Sequence, residues 1–398
     1  MKVMCLMGLY PSEYLQEIEA NSKAGIQIAA NKLQWAIVDG LEENNIDVSI
    51  INSLYIDAYP KNYYKRRIPT FKFHHKPNAE DLNVGFNNTV GLKWFSRYYG
   101  LKKALRNWAI LDCNNEKFLL VYALSTPFAN VVKYVKRKFK NIKVCIVVPD
   151  LPEYMNVKAM KSNLIYRVLK NIEIKMIKNC IKNVDSYVLL TDAMKSWFDR
   201  DINYTVVEGV AVNSIDDYNC TKNKTILYAG GIKEEYGIID LIKAFIAVDN
   251  KEWELDIYGD GADLIKAKEL AKNHTNIVFK GMVSNSVVVE EQKKASLLIN
   301  PRKNHEFTKY SFPSKVLEYM SSGTPMLGYK LDGIPKEYSD YYYVIEDVEN
   351  GLEIALKNAM SLTDEERKNY GYKAKKFVED NKNAKSQCAK IVDLLKSL

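Results

Sequence analysis

The chain has 398 residues, 47% of them hydrophobic, and a formal net charge of +8. This length exceeds what one hydrophobic core usually serves, so we expect two domains of roughly 200 residues each. No apolar run is long enough for a membrane-spanning helix, Pro11 and Glu13 come too early for a signal peptide, and the six cysteines are scattered without a CxxC pair. We therefore expect a protein of the reducing cytoplasm, without a zinc site or a disulfide framework.

The first half alternates predicted strands and helices. KVMCLMGLY, a helix at about 27–44 and DVSIIN predict a βαβ unit, which FLLVYAL, VVKYVKRKF and KVCIVVPD repeat. A long helix at about 160–183 and the strand SYVLLT follow. Asp150 should stand at the carboxyl end of a strand, where a carboxylate could accept hydrogen bonds from the hydroxyl groups of a ligand. A turn-forming aspartate between two prolines is an equally good interpretation.

Basic residues are concentrated in this half. Residues 51–182 contain 25 Lys and Arg against 8 Asp and Glu, with aromatic residues interleaved at 63–76 and 94–110. This mixture is typical of binding at an anionic membrane surface, where each cation contributes about 1 kcal/mol. A solvated basic face is the alternative. No nucleic-acid-binding motif accompanies the charge, so we expect no nucleic-acid partner.

The second half starts a new series of elements after the polar stretch 213–224, which we interpret as the interdomain linker. Strands are predicted at about 225–229, 254–258, 276–280, 296–300, 325–328 and 342–345, with helices between them. The pattern predicts an α/β protein with two doubly wound parallel sheets. In such sheets ligands bind at the carboxyl ends of the strands, so two facing domains would enclose a cleft.

The segment SFPSKVLEYMSSGTP at 311–325 predicts a short helix. Pro313 favours a first helical turn, Ser314 is a natural N-cap, and the sequence Gly-Thr-Pro at 323–325 ends the helix about three turns later. Three- and four-residue spacing separates an apolar face from a polar face. The apolar face comprises Val316, Leu317 and Met320, and the polar face comprises Lys315, Glu318 and Ser322.

The polar face of this helix carries an acid and a base. A lysine in the first turn opposes the helix dipole unless an anion such as a phosphate binds there. Glu318 lies one turn further along the same face, at a separation that suits the two hydroxyls of a ribose. An ion pair between Lys315 and Glu318 is the simpler alternative.

This helix resembles the donor-binding helix of retaining GT-B glycosyltransferases of family 4, which opens with Ser-Lys and carries Glu-Tyr-Met. Four further segments match in order: TILYAGGIKEEYGIIDLIKAF at 225–245, ELDIYGDGADL at 254–264, NIVFKGMVS at 276–284 and ASLLINPR at 295–302. The resemblance implies a GT-B fold of two Rossmann-like domains that face a central cleft, with a last helix, about 363–397, crossing back to the first domain. We expect an acceptor-binding domain at 1–212, a nucleotide-sugar-binding domain at 213–375 and a returning helix at 376–398.

Three positions depart from the family pattern. Tyr310 stands where relatives have a second glutamate, and Glu306 is the nearest acid. Gly231 and Tyr236 stand where many relatives have an arginine and a lysine that contact the diphosphate. The cations that remain for this role are Arg302, Lys315 and Lys233.

The resemblance implies transfer of a hexose from a nucleoside diphosphate sugar, with UDP favoured, to a glycan acceptor, with retention and without a metal or other cofactor. DRD at 199–201 has the DxD spacing of metal-binding transferases but ends a helical stretch, so we expect no metal there. The residues expected to carry transfer are Arg302, Lys315 and Asp150. The residues expected to bind the nucleotide sugar are Gly230, Gly231, Val283, Ser284, Ser314, Lys315 and Glu318. Of these, backbone N–H groups after Gly230 and Gly231 are expected to bind the diphosphate, and the backbone near Val283 and Ser284 is expected to bind the base.

The basic first half suggests an acceptor carried on a polyprenyl diphosphate, used in cell-surface polysaccharide assembly at the inner face of the plasma membrane. The protein would then be cytoplasmic and peripheral to the membrane. An alternative from another class is a non-catalytic GT-B subunit that binds a partner transferase or a glycan, because Tyr310, Gly231 and Tyr236 would permit a loss of donor chemistry.

Overall fold

The structure is a computed structural model that describes residues 1–23, 25–111, 116–154, 164–211, 222–306 and 308–398. The chain forms two compact units, one of Met1–Val210 with Ala384–Leu398 and one of Ala211–Asn383. The predicted linker lies outside the described residues up to position 221.

The elements follow one another in an α/β order. The described strands are β1 (Lys2–Met7), β2 (Asp47–Asn52), β3 (Arg67–Ile68), β4 (Phe71–Phe73), β5 (Asp81–Asn83), β6 (Phe86–Asn87), β7 (Lys117–Tyr122), β8 (Ile142–Val148), β9 (Ser186–Leu189), β10 (Tyr204–Val206), β11 (Asn223–Ala229), β12 (Glu254–Tyr258), β13 (Ile277–Gly281), β14 (Ala295–Asn300), β15 (Met326–Tyr329) and β16 (Tyr343–Ile345). The described α-helices are α1 (Leu15–Ala20), α2 (Ile28–Glu43), α3 (Leu92–Ile110), α4 (Thr126–Lys138), α5 (Leu164–Cys180), α6 (Ile238–Val248), α7 (Leu264–Ala271), α8 (Asn285–Lys294), α9 (Lys315–Ser321), α10 (Gly351–Ser361), α11 (Asp364–Asn381) and α12 (Ala384–Lys396).

The first unit is built on an eight-stranded sheet in the order β10-β9-β8-β7-β1-β2-β5-β4. All neighbouring strands are parallel except β4, which runs antiparallel to β5. The central strands β1, β7 and β8 are apolar along nearly their whole length and almost fully buried, as expected for a sheet covered on both faces. The strand order reverses next to β1, so the topological switch point lies between β1 and β7.

The second unit has a six-stranded, wholly parallel sheet in the order β13-β12-β11-β14-β15-β16. Numbered within the unit, this is the 3-2-1-4-5-6 order of a Rossmann fold, with its switch point between β11 and β14. The six predicted strands differ from the observed ones by at most two residues at either end. The prediction of two doubly wound α/β domains is confirmed.

The C-terminal segment divides between the two units. The predicted single helix at about 363–397 is wrong, because α11 ends at Asn381 and α12 begins at Ala384. The side-chain amides of Asn381 and Asn383 donate to the carbonyl oxygens of Phe377 and Glu379, which satisfies the end of α11. Helix α11 belongs to the second unit and α12 to the first, where it packs on α2.

None of the helices in the described residues is both long enough and apolar enough to span a membrane. Cys5, Cys145, Cys180 and Cys388 are buried free thiols. Within the described ranges, no cluster of three or more His, Cys, Asp or Glu side chains has the geometry of a metal site.

Candidate functional site

The candidate donor site lies at the switch point of the second unit. Gly230 directly follows β11, and Arg302 comes two residues after the end of β14, the strand next to it in the sheet. Helix α9 carries Lys315 to the same place, since the Lys315 side chain lies against Gly230. The carboxyl ends of β11 and β14 therefore hold the predicted cations together, where doubly wound folds bind their ligands.

Helix α9 has two turns instead of the three that the sequence predicts. Ser314 occupies the N-cap position with helical backbone angles (φ −52°, ψ −25°), and its side chain accepts no capping hydrogen bond. Gly323, with φ +73°, ends the helical conformation as predicted. Val316, Leu317 and Met320 are buried in the core of the unit, which confirms the apolar face.

The polar face is narrower than predicted. Ser322 was expected there, but it is buried and its hydroxyl donates to the carbonyl oxygen of Tyr319. A serine just after the end of a helix can bond to the helix backbone instead of facing solvent, because its hydroxyl reaches the last carbonyl groups of the helix. Lys315 and Glu318 remain as the two candidate side chains of the face.

Lys315 is held against the backbone of the first loop. Its Nζ lies 4.9 Å from the ring centroid of Tyr228, and a Cβ at Gly230 would lie only 1.8 Å from that nitrogen. Burial lowers the pKa of Lys315 to about 8, Glu318 acts in the opposite direction, and the charge of Arg302 lowers it further. None of the ion pairs formed by the described residues includes Lys315. The site thus keeps a desolvated cation beside a second cation, an arrangement that an anion would stabilise.

Tyr236 lies among the remaining cations. The guanidinium carbon of Arg302 is 5.3 Å from the centroid of the Tyr236 ring, and the Nζ of Lys233 is 5.0 Å from it. Burial lowers the pKa of Arg302, and Tyr236 and Glu235 act against that effect. A tyrosine where relatives have a lysine therefore holds two neighbouring cations by cation–π contact.

Two backbone amides near Gly230 form hydrogen bonds within the protein, which differs from expectation. The N–H of Gly230 donates to the carbonyl oxygen of Tyr258 at 2.8 Å, and that of Ile232 donates to Asp260 at 2.9 Å. Backbone N–H groups in this loop were expected to bind phosphate, but those of Gly230 and Ile232 are engaged by Tyr258 at the end of β12 and by Asp260 in the loop after it. The sequence requires glycine at 230 because Lys315 approaches there.

The GDG motif at 259–261 explains how the two loops pack. A Cβ at Gly259, whose φ is +132°, would lie 1.9 Å from the carbonyl oxygen of Gly230. A Cβ at Gly261 would lie 2.2 Å from the carbonyl oxygen of Ile232. Both glycines serve close backbone approach, which accounts for the motif.

Glu318 is oriented by a residue that sequence reasoning missed. Gln292 of α8 is fully buried, and its Nε2 donates to Oε1 of Glu318 at 2.7 Å. The backbone carbonyl of Gln292 accepts from the hydroxyl of Thr324, which ties α8 to the end of α9. In the polar sequence EEQKKA nothing distinguishes this glutamine from its solvated neighbours, so only the tertiary structure identifies it.

Residues 215–377 match the family model described as Glycosyl transferases group 1. This part of the chain is a glycosyl transferase group 1 domain. The match spans most of the second unit and includes every residue of the candidate donor site. No curated protein sequence matches the chain.

Solved structures match the fold of the whole chain. Sucrose-phosphate synthase from Thermosynechococcus elongatus and the lipopolysaccharide outer core galactosyltransferase WaaB each have a TM-score of 0.62 and 13% identity, over 100% of this chain and 99% of theirs. A mutant of S. aureus TarM in complex with Fondaparinux, alpha-GlcNAc-glycerol and UDP has a TM-score of 0.59 and 11% identity, over 99% of both chains. The predicted GT-B fold is confirmed.

The positions expected to hold the base lie at the edge of the group 1 domain. Val283 is 40% exposed, and Ser284 precedes the first residue of α8 after the end of β13. The hydroxyl of Ser284 lies 2.9 Å from that of Ser286. The backbone at 283–284 is thus at the carboxyl end of a strand and open to solvent.

Tyr310, the residue in place of the family's second glutamate, ends a 3-10 turn at Thr308–Tyr310. The Nζ of Lys309 lies 5.0 Å from the centroid of its ring. Glu306, the nearest acid in sequence, is exposed.

Asp150 belongs to the first unit, two residues beyond the end of β8, as the sequence predicts. Part of its side chain is open to solvent, yet the surrounding protein desolvates the carboxyl and raises its pKa. The other predicted residues, Gly230, Gly231, Arg302, Lys315 and Glu318, come together in the group 1 domain.

Proposed function

We propose that the protein is a retaining hexosyltransferase that takes a sugar from UDP and transfers it to a glycan acceptor without a metal. The observation that carries this proposal is Lys315, a desolvated cation that lies against Gly230 with Arg302 nearby, inside a glycosyl transferase group 1 domain. A diphosphate supplies the negative charge that this arrangement needs.

The hard step of the reaction is departure of the nucleotide, whose diphosphate gains charge as the glycosidic bond breaks. Lys315 and Arg302 would stabilise that charge where a metal serves in other transferases. Glu318, oriented by Gln292, would hold the two ribose hydroxyls, and the backbone at 283–284 the base. The acceptor hydroxyl would attack from the leaving-group face and pass its proton to the β-phosphate, so that no enzymatic nucleophile is needed.

In this proposal the first unit binds the acceptor. Asp150, with its raised pKa, would accept a hydrogen bond from an acceptor hydroxyl at the end of β8. The basic character of residues 51–182 supports an acceptor linked to a polyprenyl diphosphate at the cytoplasmic face of the plasma membrane. The fold similarity to the lipopolysaccharide galactosyltransferase WaaB supports a role in cell-surface polysaccharide assembly, such as capsule or exopolysaccharide.

Calorimetric titration with UDP tests the donor site. Charge-assisted hydrogen bonds contribute about 1.5 to 3 kcal/mol, so Glu318→Ala and Lys315→Ala should each weaken UDP binding by roughly 10- to 150-fold. The matched controls are Glu353→Ala and Lys243→Ala, on α10 and α6 of the same unit, and they should bind UDP as the wild type does. Equal UDP affinities of wild type and Glu318→Ala would show that Glu318 does not bind the nucleotide and that α9 is not the donor-binding helix.

Binding and kinetic measurements separate the role of Glu318 from that of Lys315 and Arg302. The ribose does not change during the reaction, so Glu318→Ala should weaken UDP and UDP-sugar binding alike. The diphosphate gains charge, so Lys315→Ala and Arg302→Ala should lower kcat as well as affinity. UDP binding without any turnover of UDP-sugars, by hydrolysis or by transfer, would favour the non-catalytic subunit instead.

A further inference from the structure

One surface of the first unit combines exposed apolar side chains with a large excess of positive charge. Helix α4 packs between α3 and α5, and we call these three helices the helical layer. The layer contains thirteen lysines and arginines and a single acid, Glu173. Three lysines of the layer form ion pairs, Lys170 with Glu173, Lys136 with Asp185 and Lys178 with Asp199, and Arg97 is buried. The other cations keep a large positive excess on the layer.

Helix α5 is apolar on two faces. Ile174, Ile177 and Cys180 are buried on the inner face. The outer face exposes Leu164, Val168, Ile172 and Met176, at four-residue spacing, and each is 43% to 66% accessible. A helix of a soluble domain ordinarily keeps its solvent face polar, because exposed aliphatic side chains contribute nothing to folding. A contiguous exposed apolar row of this kind marks a surface that meets another apolar phase.

Helix α3 has the same character. Leu92, Phe95 and Tyr99 recur at three- and four-residue spacing and are 54% to 63% exposed. The ring of Trp94 stacks on Tyr98 and meets Phe95 edge to face on the same helix. Exposed Lys103 and Arg106 lie one to two turns further along. Aromatic side chains flanked by cations are what the headgroup region of a bilayer accommodates.

The other basic and aromatic segment, at 63–76, is a weaker candidate. Lys65 pairs with Glu17, Lys72 with Glu80 and Lys76 with Glu42. His75 of the same segment is buried. Three of the five cations of this segment are thus neutralised within the protein, against three of thirteen in the helical layer, so the segment attracts an anionic surface less than the layer does.

We propose that the helical layer is the face by which the protein docks on an anionic lipid bilayer, with the outer apolar rows of α3 and α5 inserted at the headgroup level. This inference rests on the proposed function, because a lipid-linked acceptor places the substrate at that surface. The excess of cations draws the layer to anionic lipid, and the apolar rows gain free energy on leaving water.

Vesicle co-sedimentation tests the docking face with two double variants. Val168→Gln with Ile172→Gln removes apolar area from α5, and Lys103→Gln with Arg106→Gln removes charge from α3. Each should weaken binding to vesicles of phosphatidylglycerol and phosphatidylcholine by about tenfold or more, since one buried aliphatic side chain, or two cations near anionic lipid, contribute about that factor. The matched controls are exposed residues of the second unit, Ile265→Gln with Ile354→Gln and Lys243→Gln with Lys336→Gln, and they should bind as the wild type does.

Salt and fluorescence give independent readouts. Wild-type binding should require anionic lipid and fall in 1 M NaCl, where the Debye length is about 3 Å. Brominated lipid should quench Trp94, and the Trp94→Phe variant should lose that part of the quenching. The UDP titration in vesicle-free buffer should be unchanged for both double variants, which separates a failure of docking from a failure of the donor-site assignment.

Three results would overturn the proposal. The first is wild-type affinity of the Val168→Gln and Ile172→Gln variant for anionic vesicles. The second is equal binding, or none, to neutral and anionic vesicles. The third is self-association of the wild type that the same variant abolishes while neither protein binds vesicles, which would make the helical layer a protein interface.

Discussion

The approach of Lys315 to Gly230 is the most restrictive contact of the donor site. A methyl group at 230 would lie 1.8 Å from the Lys315 Nζ, so the flexible end of the lysine would have to move. We expect Gly230→Ala to fold normally and to lose about as much UDP affinity as Lys315→Ala does. Calorimetry with UDP and thermal unfolding of the same sample measure both effects.

Gly231→Ala is the matched control for that variant. Its added Cβ would meet the Tyr236 ring at 3.1 Å, which calls for a small ring movement and leaves Lys315 in place. UDP affinity should therefore change much less than in Gly230→Ala. Similar losses in both variants would mean that the loop itself, and not the lysine, determines nucleotide binding.

Tyr310→Glu tests whether the missing family acid matters. If the phosphate site is organised around Arg302 and Lys315, a new carboxylate at position 310 should be neutral or harmful to transfer, because it adds negative charge to a site that binds a diphosphate. Turnover of UDP-sugar by wild type and variant is the measurement. A clear rise in kcat would instead show that the protein is a transferase impaired by loss of the acid.

At the scale of elements, a buried histidine joins α2 to the edge of the first sheet. His75 Nδ1 lies 2.6 Å from Oδ2 of Asp81 on β5, and its Nε2 lies 3.0 Å from Oε1 of Glu42 on α2. Lys76 also pairs with Glu42. Both ring nitrogens face carboxylates, which favours the doubly protonated ring. Burial lowers the pKa of His75, but Asp81 and Glu42 outweigh that effect, so the pKa is raised.

The raised pKa makes the stability of the first unit depend on pH. The stabilisation that protonated His75 contributes is complete below the pKa of histidine in the unfolded chain, about 6.5. It is lost as the pH rises through the higher pKa of the folded state. His75→Gln should therefore reduce the free energy of unfolding more at pH 5.5 than at pH 9. Urea titrations at the two pH values give the comparison, and the exposed neighbour variant His74→Gln serves as the control. A loss that is equal at both pH values would show that His75 acts by packing alone.

At the scale of the whole molecule, the last helix returns the chain end to the first unit. Ile391 and Leu395 of α12 are fully buried in the core that also contains Ile37 and Leu41 of α2. Gly40 of α2 allows α12 to approach closely, since a Cβ at position 40 would lie 2.3 Å from the carbonyl oxygen of Ala384. Fifteen residues at the end of the sequence thus complete the core of its beginning.

Truncating one of these side chains should destabilise the first unit selectively. Leu395→Ala should lower its free energy of unfolding by about 2 to 5 kcal/mol, because a buried leucine is lost and a cavity remains. Hydrogen exchange should accelerate in α2 and α12 but not in α6, and the exposed neighbour variant Lys396→Ala should leave exchange unchanged. Equal acceleration in both units would contradict the division of the chain described above.

Local sequence patterns determined the fold class and the skeleton of the candidate site. Alternating apolar strands and amphipathic helices predicted two parallel sheets, because burial on both faces requires continuous apolar strands. The same patterns placed Arg302 and Asp150 after strands, and the spacing of Lys315 and Glu318 placed both on one helix face. These features depend on neighbours in sequence, so the sequence alone contains them.

The tertiary structure decided what depends on residues far apart in the chain. Gln292 was missed because its role follows from burial against α9 and not from any local motif. The amides of Gly230 and Ile232 were misassigned because the residues that accept their hydrogen bonds come about thirty positions later. The break before α12 was missed because helix periodicity continues through it, while asparagine side chains end one helix and core packing in the other unit fixes the next. Long-range packing selects among arrangements that local pattern leaves equivalent.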